Sequence, residues 1–489
     1  MYKKDSILLY FYQDDVLYES LMTLFDAFNI ANKELYLVGG CVRDIMLDKT
    51  PKDFDFCTNA KPNEVKDILS RVSYVKDSCG FYVDKSSKRY SFIDTGLKHG
   101  TITILDNKVH KFYEITTYRC DGLYKDARHP QEVTFVNTLE EDLKRRDFTI
   151  NSFAYDLYNK ELHMLDESYL KDLEHGIIRA IGDPCERFNE DALRMLRALR
   201  FSAQLNFSIE TNTYNAIKKC NHLLAKISKE RIEDELSKIL LSDNPQTLEL
   251  FVISGLEKYA FDGLEPLKSI LTCEHSNPWH YTDVFHHTMD VVKRVPKTYV
   301  LRWSALFHDI GKPLVKCLKE GTSDHYTYYD HQEESCRIAN DIMTILKFSN
   351  DDRDLISKFV LYHDAQLVEI KNSRFKRILV DIGLDNFDDY MQLRKSDAFA
   401  HRLSKDTKYA IDYISKIYER YDKVTFKNEA LTLKDLKVNG YDMMNLHLEG
   451  KEIGDMLNYL LERVLDDSSL NDKDTLLHLA KEKLELTNK

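Results

Sequence analysis

"VGGCVRDIMLDKTPKDFDF", residues 38–56, sets two glycines at the join of an apolar strand (LYLV) and a short helix (CVRDIML), then offers Asp53 and Asp55 one residue apart on a second strand. Residues i and i+2 of a strand point to the same side. The spacing therefore predicts both carboxylates presented together, with Phe54 and Phe56 buried on the opposite face. Two unpaired carboxylates this close repel one another, and a divalent cation relieves the repulsion. Hard oxygen ligands favour Mg²⁺, which is held by one or two carboxylates plus substrate phosphates. Gly39 and Gly40 leave room for backbone N–H groups and the positive end of a helix to approach a triphosphate. Arg43 and Arg89 are candidates to add positive charge, although spacing places neither.

A third carboxylate would complete a two-metal clamp. "KFYEITTYR" is the best strand for it, with Glu114 alternating with Phe112 and Thr116 on one face; a solvent-facing glutamate at a sheet edge is the competing reading. These parts suit in-line nucleotidyl transfer, in which one metal lowers the pKa of an attacking hydroxyl and the other stabilises the leaving pyrophosphate.

The chain has 489 residues, enough for three or four domains at roughly 100–200 residues each. Its 43% hydrophobic and 31% charged content fits a soluble globular protein, and no apolar run approaches the ~18–20 residues of a membrane span. The start, "MYKKDSILLYFYQDD", reads as a helical edge, not a signal peptide. Nine cysteines lie between Cys41 and Cys336 without a C-x-x-C pair, which argues against a disulfide framework or a thiolate zinc site and for a reducing, cytoplasmic setting. The net charge of −12 counts against a nucleic-acid partner. Screening erases fields beyond about 8 Å, however, so local clusters decide. Three exist: "LKRRDF" (143–148), "LRMLRALRF" (193–201) and "KNSRFKR" (371–377). Each taken alone is an ordinary solvated helix face.

Residues 35–136 alternate strand-like runs ("LYLVGG", "TITIL", "KFYEITTY", "EVTFV") with helical or loop segments. From about 137 strand signals nearly vanish, and helical periodicity takes over at 186–205, 229–241, 303–310 and 331–347. "KDLEHGIIRAIGDP" reads as a hairpin or sharp hinge, and histidines concentrate between 275 and 401. The expected organisation is a head at 1–157, a neck and body at 158–265, a histidine-bearing unit at 266–424 and a helical tail at 425–489.

"LVGGCVRDIMLDKTPKDFDF" resembles the nucleotide-binding signature of class II tRNA nucleotidyltransferases and bacterial poly(A) polymerases, members of the polymerase β superfamily. The likeness continues in order through "EITTYRCDGLYKDARHP", "EEDLKRRDFTINSFAYD", "DLEHGIIR" and "EDALRMLRALRF", covering residues 30–240. It implies an α+β fold, a polymerase β-like head with a mixed sheet followed by an all-helical neck and body. "RRDFTIN" sets Asp147 and Asn151 four apart on one expected helical face, and the resemblance assigns Arg146 and Asp147 to the ribose 2′-OH. In "NEDALRMLRALRF", Asp191 and Arg194 are expected side by side at i, i+3 of a helix, with Glu190 orienting them and Arg197 adding a further nucleotide contact. Asp accepts hydrogen bonds and Arg only donates. Cytosine and adenine show an amine beside a ring-nitrogen acceptor, which complements that pair; uracil and guanine do not, and a polar site rejects such mismatches strongly. The resemblance makes Asp172, Gly176 and Arg179 a hinge, and 119–130 a loop flanking the active site.

Downstream come "FHHTMDVV", "LFHDIGKP", "YYDHQEES", "LYHDA" and "RKSDAFAH". His308–Asp309 is an adjacent nitrogen and oxygen ligand pair on which His287, His331, His363 and Asp397 would converge. Such a set suits Mn, Fe, Ni, Co or Zn without selecting one divalent metal, and His286 beside His287 leaves the first ligand ambiguous. The order resembles HD-type phosphohydrolases over 280–400. This implies hydrolysis of a phosphate ester, such as a 2′,3′-cyclic phosphate at an RNA end, or a unit that only braces RNA. The tail "LKDLKVNGYDMMN…GKEIGDMLNYLLERVL" looks like that of HD-bearing CCA-adding enzymes. The resemblance thus implies addition of CCA to tRNA from CTP and ATP with Mg²⁺, with basic helices gripping the tRNA backbone and no membrane partner. Poly(A), CC-only or A-only addition is the nearest alternative. A phosphohydrolase with an RNA-binding head is a second, and a regulatory RNA-binding protein with decayed sites a third.

Overall fold

The computed structural model describes residues 4–72, 89–94, 96–97, 100–121, 133–274, 283–322, 325–400, 404–426 and 430–487. Helices α1 (Lys4–Phe11) and α2 (Asp15–Ile30) precede β1 (Leu35–Val38), α3 (Gly40–Met46), β2 (Phe54–Thr58), α4 (Pro62–Ser70), β3 (Tyr90–Ile93), β4 (Thr101–Asp106) and β5 (Lys111–Thr117). A short pair, β6 (Arg119–Asp121) and β7 (Val133–Phe135), leads to α5 (Leu139–Lys144), a 3₁₀ turn (Thr149–Asn151), β8 (Ala154–Asp156) and β9 (Glu161–His163).

Seven strands form one mixed sheet in the order β3-β4-β5-β2-β1-β8-β9. Apolar residues of α2 recur at Leu17, Leu21, Leu24, Phe25 and Phe28, a helical stripe that is buried, and Asp14 caps its start by accepting from Leu17 N at 2.9 Å. One sheet face packs on α1 and α2: Phe54 lies 6.1 Å from Phe11, Phe56 lies 6.1 Å from Phe25, and Tyr113 meets Phe56 edge-on at 5.7 Å. The period of two then sends Asp55 and Glu114 to the other face.

Strand structure continues past residue 137, contrary to the expectation from sequence. β8 pairs with β1 and forms a hairpin with β9. Asp156 stabilises the turn by accepting from Tyr158 N and Asn159 N, both at 2.9 Å. The strands are three residues each, too short for alternation to stand out.

The rest of this unit is helical: α6 (Ser168–Glu174), β10 (Ile177–Ile178), α7 (Pro184–Glu190), α8 (Leu193–Leu205), β11 (Ser208–Ile209), α9 (Thr211–Cys220), α10 (Lys229–Leu240), α11 (Leu248–Ile253) and α12 (Leu256–Ala260). Of the two readings of "KDLEHGIIRAIGDP", hairpin or sharp hinge, the hairpin does not form: α6 turns sharply at Gly176 into β10. That strand pairs in parallel with β11, not with its own neighbour.

Two compact units result: Met1–Ile239 with Thr247–Gly263, and Leu240–Gln246 with Leu264–Lys489. The second contains α13 (Pro266–Leu271), α14 (Val284–Arg294), α15 (Tyr299–Phe307), α16 (Lys312–Val315), the hairpin β12 (Cys317–Leu318) and β13 (Tyr326–Thr327), α17 (His331–Ile345) and α18 (Asn350–Tyr362). It continues with α19 (Asn372–Ile382), α20 (Phe387–Ala400), α21 (Ser404–Phe426), α22 (Gly440–Met444), α23 (Lys451–Asp466) and α24 (Lys473–Thr487). The fully buried Trp303 anchors its core, against Phe307 at 5.3 Å and Phe348 at 5.0 Å. Among the described residues no helix is long and apolar enough to cross a membrane.

Candidate functional site

Antiparallel pairing aligns Val38, the last residue of β1, with Asp55, while parallel pairing aligns Asp55 with Glu114. One register thus places the glycine pair, Asp55 and Glu114 at a single sheet end, with exposed Asp53 just before β2. Burial and the neighbouring Asp53 and Glu114 push the Asp55 carboxyl up to about 6, against the pull of Arg146. Burial is the larger cause and the two neighbouring carboxylates the next, and a buried acid crowded by two others is a donor set that fits a divalent cation.

Gly39 has φ +74°, a backbone region that favours glycine, and a Cβ there would sit 3.2 Å from Arg146 Nη1. A Cβ on Gly40 would meet Arg43 Nη2 at 3.6 Å. Both guanidinium groups therefore lie against the glycine turn. Asp142, fully buried, holds Arg146 at 3.0 Å and Arg145 at 2.6 Å. Arg43 donates to Asn151 Oδ1 at 2.6 Å and to Asp44. Arg89 does not join this site. It pairs at 2.8 Å with Asp106, whose carboxylate also accepts from Ser20 on α2, on the sheet face packed by helices.

"RRDFTIN" is not a helix, as its spacing predicts; α5 stops at Lys144. The 3₁₀ turn instead folds Asn151 back so that its Nδ2 donates to Asp147 Oδ1 at 3.1 Å. Arg197 on α8 holds the other oxygen of Asp147 with two bonds, at 2.7 and 2.8 Å. Burial pushes the Asp147 carboxyl up, yet Arg197, the Asn151 amide and Arg194 together hold it down at about 2.

Asp191 and Arg194 are not on one helix. Asp191 has an extended backbone (φ −139°, ψ 105°) in the break between α7 and α8. Glu190 grips Arg194 at 2.6 Å and Arg187 at 2.6 Å, and Arg194 Nη2 donates to the Arg145 carbonyl at 3.0 Å. Asp191 accepts from Leu193 N at 3.0 Å and from Arg231 Nη2 at 3.1 Å. The backbones still meet, Arg194 N donating to the Asp191 carbonyl at 3.0 Å, but the two base-reading side chains are each fixed by a separate partner. Sequence reading missed Arg231 and, one turn on, buried Glu235, which faces Arg200 at 3.2 Å; nothing local in "KERIEDELSK" distinguishes them from a charged amphipathic helix. Sequence reading missed Asp142 as well, although an acid three and four residues before two arginines is a signal that could have found it.

Asp172 and Arg179 meet at 3.0 Å, and Thr149 Oγ1 donates to Asp172 at 2.9 Å. Gly176, at φ +65°, turns the chain between them. Of the expected flanking loop, residues 122–130 lie outside the described residues.

The three basic clusters are largely committed internally. Arg145 and Arg146 pair with Asp142, and Arg194, Arg197 and Arg200 with Glu190, Asp147 and Glu235. In the third, Arg377 pairs with Glu462 and Asp466, both at 2.6 Å.

In the second unit all six expected ligands converge in two groups, His287–His308–Asp397 and Asp309–His331–His363, each with its donor atoms within 4.8 Å of one another. Asp309 stands between them: Oδ2 faces His308 at 3.2 Å and His287 at 3.6 Å, while Oδ1 faces His331 at 3.3 Å and His363 at 3.8 Å. Nδ1 of His308, His331 and His363 each donates to the carbonyl three residues earlier, at 2.7–2.9 Å. This fixes the tautomer and aims Nε2 at the cluster. Nε2 of the fully buried His308 makes no hydrogen bond, which leaves its lone pair for a cation and fits the donor set to a divalent metal. Burial, then the neighbouring His331 and His308, drive His363 down to about 3, so it stays neutral as a ligand must. His286 points away and binds its own cap residue Asp283 at 2.7 Å, so of the two histidines only His287 joins the cluster. Gly311 lets α17 approach, since a Cβ would clash with the Ser335 backbone nitrogen.

Comparison with known proteins supplies a frame for these two sites. The model of the poly A polymerase head domain family matches residues 35–179, and the one described as "Probable RNA and SrmB- binding site of polymerase A" matches 206–268. A CCA-adding enzyme of Ligilactobacillus salivarius is 33% identical over 482 residues, covering 96% of this chain and 97% of that protein. One from Leuconostoc mesenteroides is 47% identical over 230 residues, 47% of this chain and 51% of that protein. Among solved structures, the Bacillus stearothermophilus CCA-adding enzyme in complex with CTP matches with a TM-score of 0.66 at 24% identity, over 96% of this chain and 98% of that one. The Thermotoga maritima CCA-adding enzyme complexed with tRNA matches with a TM-score of 0.53 at 21% identity, over 96% of each chain.

Proposed function

This chain belongs to the CCA-adding enzyme family, and from that premise we propose that its first unit extends tRNA 3′ ends lacking some or all of CCA, with CTP and ATP as nucleotide donors. It is a tRNA nucleotidyltransferase. The observation that carries the site assignment is the register that sets Gly39, Asp55 and Glu114 together at one sheet end.

Asp53, Asp55 and Glu114 would hold Mg²⁺. When bound there, a divalent cation lowers the pKa of the attacking hydroxyl and neutralises charge on the leaving pyrophosphate. The backbone around Gly39 and Gly40, with Arg43 and Arg146 behind it, receives the triphosphate. Arg146, Asp147 and Asn151 line the ribose end. Asp191 accepts the exocyclic amine of cytosine or adenine and Arg194 donates to the adjacent ring nitrogen. Arg197 orients Asp147, and the Asp172–Gly176–Arg179 corner lets the base-reading helix shift between C and A addition.

Since the arginine clusters are occupied, tRNA phosphates fall to exposed Lys218, Lys219, His222 and Lys226, on α9 and the 3₁₀ turn after it. They lie in the stretch that the RNA-binding family model matches. Such contacts weaken steeply with salt.

The six-ligand cluster we read as an HD-type phosphohydrolase centre. His287, His308, Asp309, His331, His363 and Asp397 would hold a divalent metal, which supplies an activated water for hydrolysis of a phosphate ester. The donors mix imidazole and carboxylate, which suits a transition metal over Mg²⁺.

The test is incorporation by purified protein into tRNAs ending before CCA, CA and A, with each NTP alone and together. CMP and then AMP addition that stops after the terminal A is expected. A long A tail with CTP ignored defeats the reading. Asp53→Ala with Asp55→Ala should abolish incorporation and spare hydrolysis of a phosphodiester probe; His308→Ala with Asp309→Ala should do the reverse.

A further inference from the structure

Three guanidinium groups from two parts of the first unit rest on one benzene ring. Arg43 Cζ lies 5.1 Å from the ring centroid of Phe201, Arg197 Cζ 5.3 Å and Arg200 Cζ 4.4 Å. Arg43 comes from α3, directly behind the glycine turn. Arg197 and Arg200 come from α8, the helix that also carries Arg194. Phe201 itself is only 6% exposed and is held edge-on by Phe148 at 5.9 Å.

Each guanidinium has its own carboxylate, Asp44, Asp147 or Glu235, but nothing among those three acids ties the arginines to one another. The shared ring does, attracting all three cations through its quadrupole, and more strongly when water is excluded. The surrounding hydrogen bonds close a circuit through the same ring: Arg43 to Asn151 at 2.6 Å, Asn151 to Asp147 at 3.1 Å, Asp147 to Arg197 at 2.7 Å. Glu235 restrains Arg200 from the far side at 3.2 Å. Phe201 is the one member of the circuit that touches all three arginines and has no charge or hydrogen bond of its own to offer a nucleotide.

We propose that Phe201 is a positioning residue for nucleotidyl transfer: its ring locks Arg43, at the triphosphate turn, to Arg197 and Arg200 on the base-reading helix, so that phosphate binding and base choice are set in one geometry. This rests on the assignment of the nucleotide site given above. An aliphatic side chain of similar size fills the space but cannot hold three cations, so the arginines would splay and each NTP would bind in a looser register.

The test is steady-state kinetics of CTP and ATP addition to tRNA ends, with UTP and GTP misincorporation measured alongside, for Phe201→Leu, Phe201→Met and Phe201→Tyr. Leu and Met are expected to raise KM for both nucleotides about tenfold, since each cation–π contact in a desolvated site is worth a sizeable part of that factor. They should also raise the share of UMP incorporated. Tyr, which keeps the π face, is expected to restore both. If Leu fails to fold, Met alone carries the comparison. Wild-type KM and selectivity in Leu and Met would overturn the proposal, as would a Tyr variant no better than Leu at an unchanged melting temperature. A wild-type protein that adds neither CMP nor AMP would instead overturn the site assignment itself.

Discussion

Arg231 Nη2 donates to Asp191 Oδ2 at 3.1 Å, joining α10 to the break before α8 across forty residues of chain. Asp191 spends its other oxygen on Leu193 N, so its carboxylate plane is fixed from both ends. Under the proposed assignment Asp191 is the acceptor that tells cytosine from uracil, and that task needs such fixing, because a carboxylate free to rotate would accept from almost any donor. Arg231→Ala should therefore relax base choice more than it slows addition. A hydrogen bond to a charged group contributes about 1.5–3 kcal/mol, so the CTP-over-UTP ratio of kcat/KM should fall by roughly ten- to a hundredfold. Competition of the two nucleotides on a tRNA lacking CCA measures it; an unchanged ratio means Asp191 is held by other means.

Asp55 gives a pH signature. Its carboxyl is raised from 3.8 to about 6, first by burial and then by Asp53 and Glu114. The folded, metal-free protein thus holds a proton up to about pH 6 that the unfolded chain releases near pH 4. Its contribution to stability is present below that range and lost as pH rises through it. Asp55→Asn should accordingly raise the melting temperature in chelator at pH 7–8, and the gain should vanish towards pH 4. Cation binding must displace the same proton, so Mg²⁺ affinity should weaken about tenfold per unit below pH 6 and level off above it. Calorimetric titration with Mg²⁺ or Mn²⁺ across pH 5–8 checks this. A flat profile would remove Asp55 from the ligand set.

The placement of Asp55 was legible because Phe54 and Phe56 made the strand plain and alternation sends the residue between them to the other face, although β2 begins at Phe54 and leaves Asp53 just outside it. The convergence of six residues in the second unit was legible because histidines and aspartates stood in an ordered series. What sequence could not supply was any pairing set by tertiary approach. Asp191 and Arg194 read as i, i+3 neighbours, yet the chain breaks between Glu190 and Leu193 and each finds its partner elsewhere. Arg89 read as a candidate to add charge at the triphosphate and instead pairs with a buried aspartate. The β8–β9 hairpin was missed because strands three residues long owe their existence to the edge of β1, not to their own pattern.

The Arg89–Asp106 pair predicts a stability effect separate from catalysis. Asp106 is wholly buried, Arg89 is 4% exposed, and they meet at 2.8 Å. Removing one partner of a buried ion pair leaves an uncompensated charge and costs about 3–5 kcal/mol. Ser20 at 2.6 Å and Lys108 N at 2.9 Å still donate to Asp106 in the variant, so Arg89→Ala should fall at the lower end. Denaturant unfolding of the first unit should show it. At a temperature where the variant remains folded, KM for CTP should be that of the wild type, since Arg89 faces the packed side of the sheet; a selective rise in KM would put it back at the nucleotide.

In the second unit the shared position of Asp309 makes unequal mutations. Its Oδ1 and Oδ2 face opposite triads, so Asp309→Ala removes a ligand from both, whereas His331→Ala removes one from only one. Burial pushes the Asp309 carboxyl up, but His308 and Lys312, whose Nζ lies 2.6 Å from Oδ2, hold it well below the usual range. Asp309 is therefore ionised and ready to ligate at any physiological pH, and His363, down at about 3, is neutral there. Metal content measured on protein purified without chelator should fall further in Asp309→Ala than in His331→Ala, and chelation should lower the melting temperature of the wild type but not of Asp309→Ala. CMP and AMP incorporation should be the same in all three proteins, because none of these residues belongs to the first unit. Equal metal loss in the two variants would show that Asp309 serves one triad alone, and a chelation shift that survives in Asp309→Ala would place the stabilising cation somewhere else in the chain.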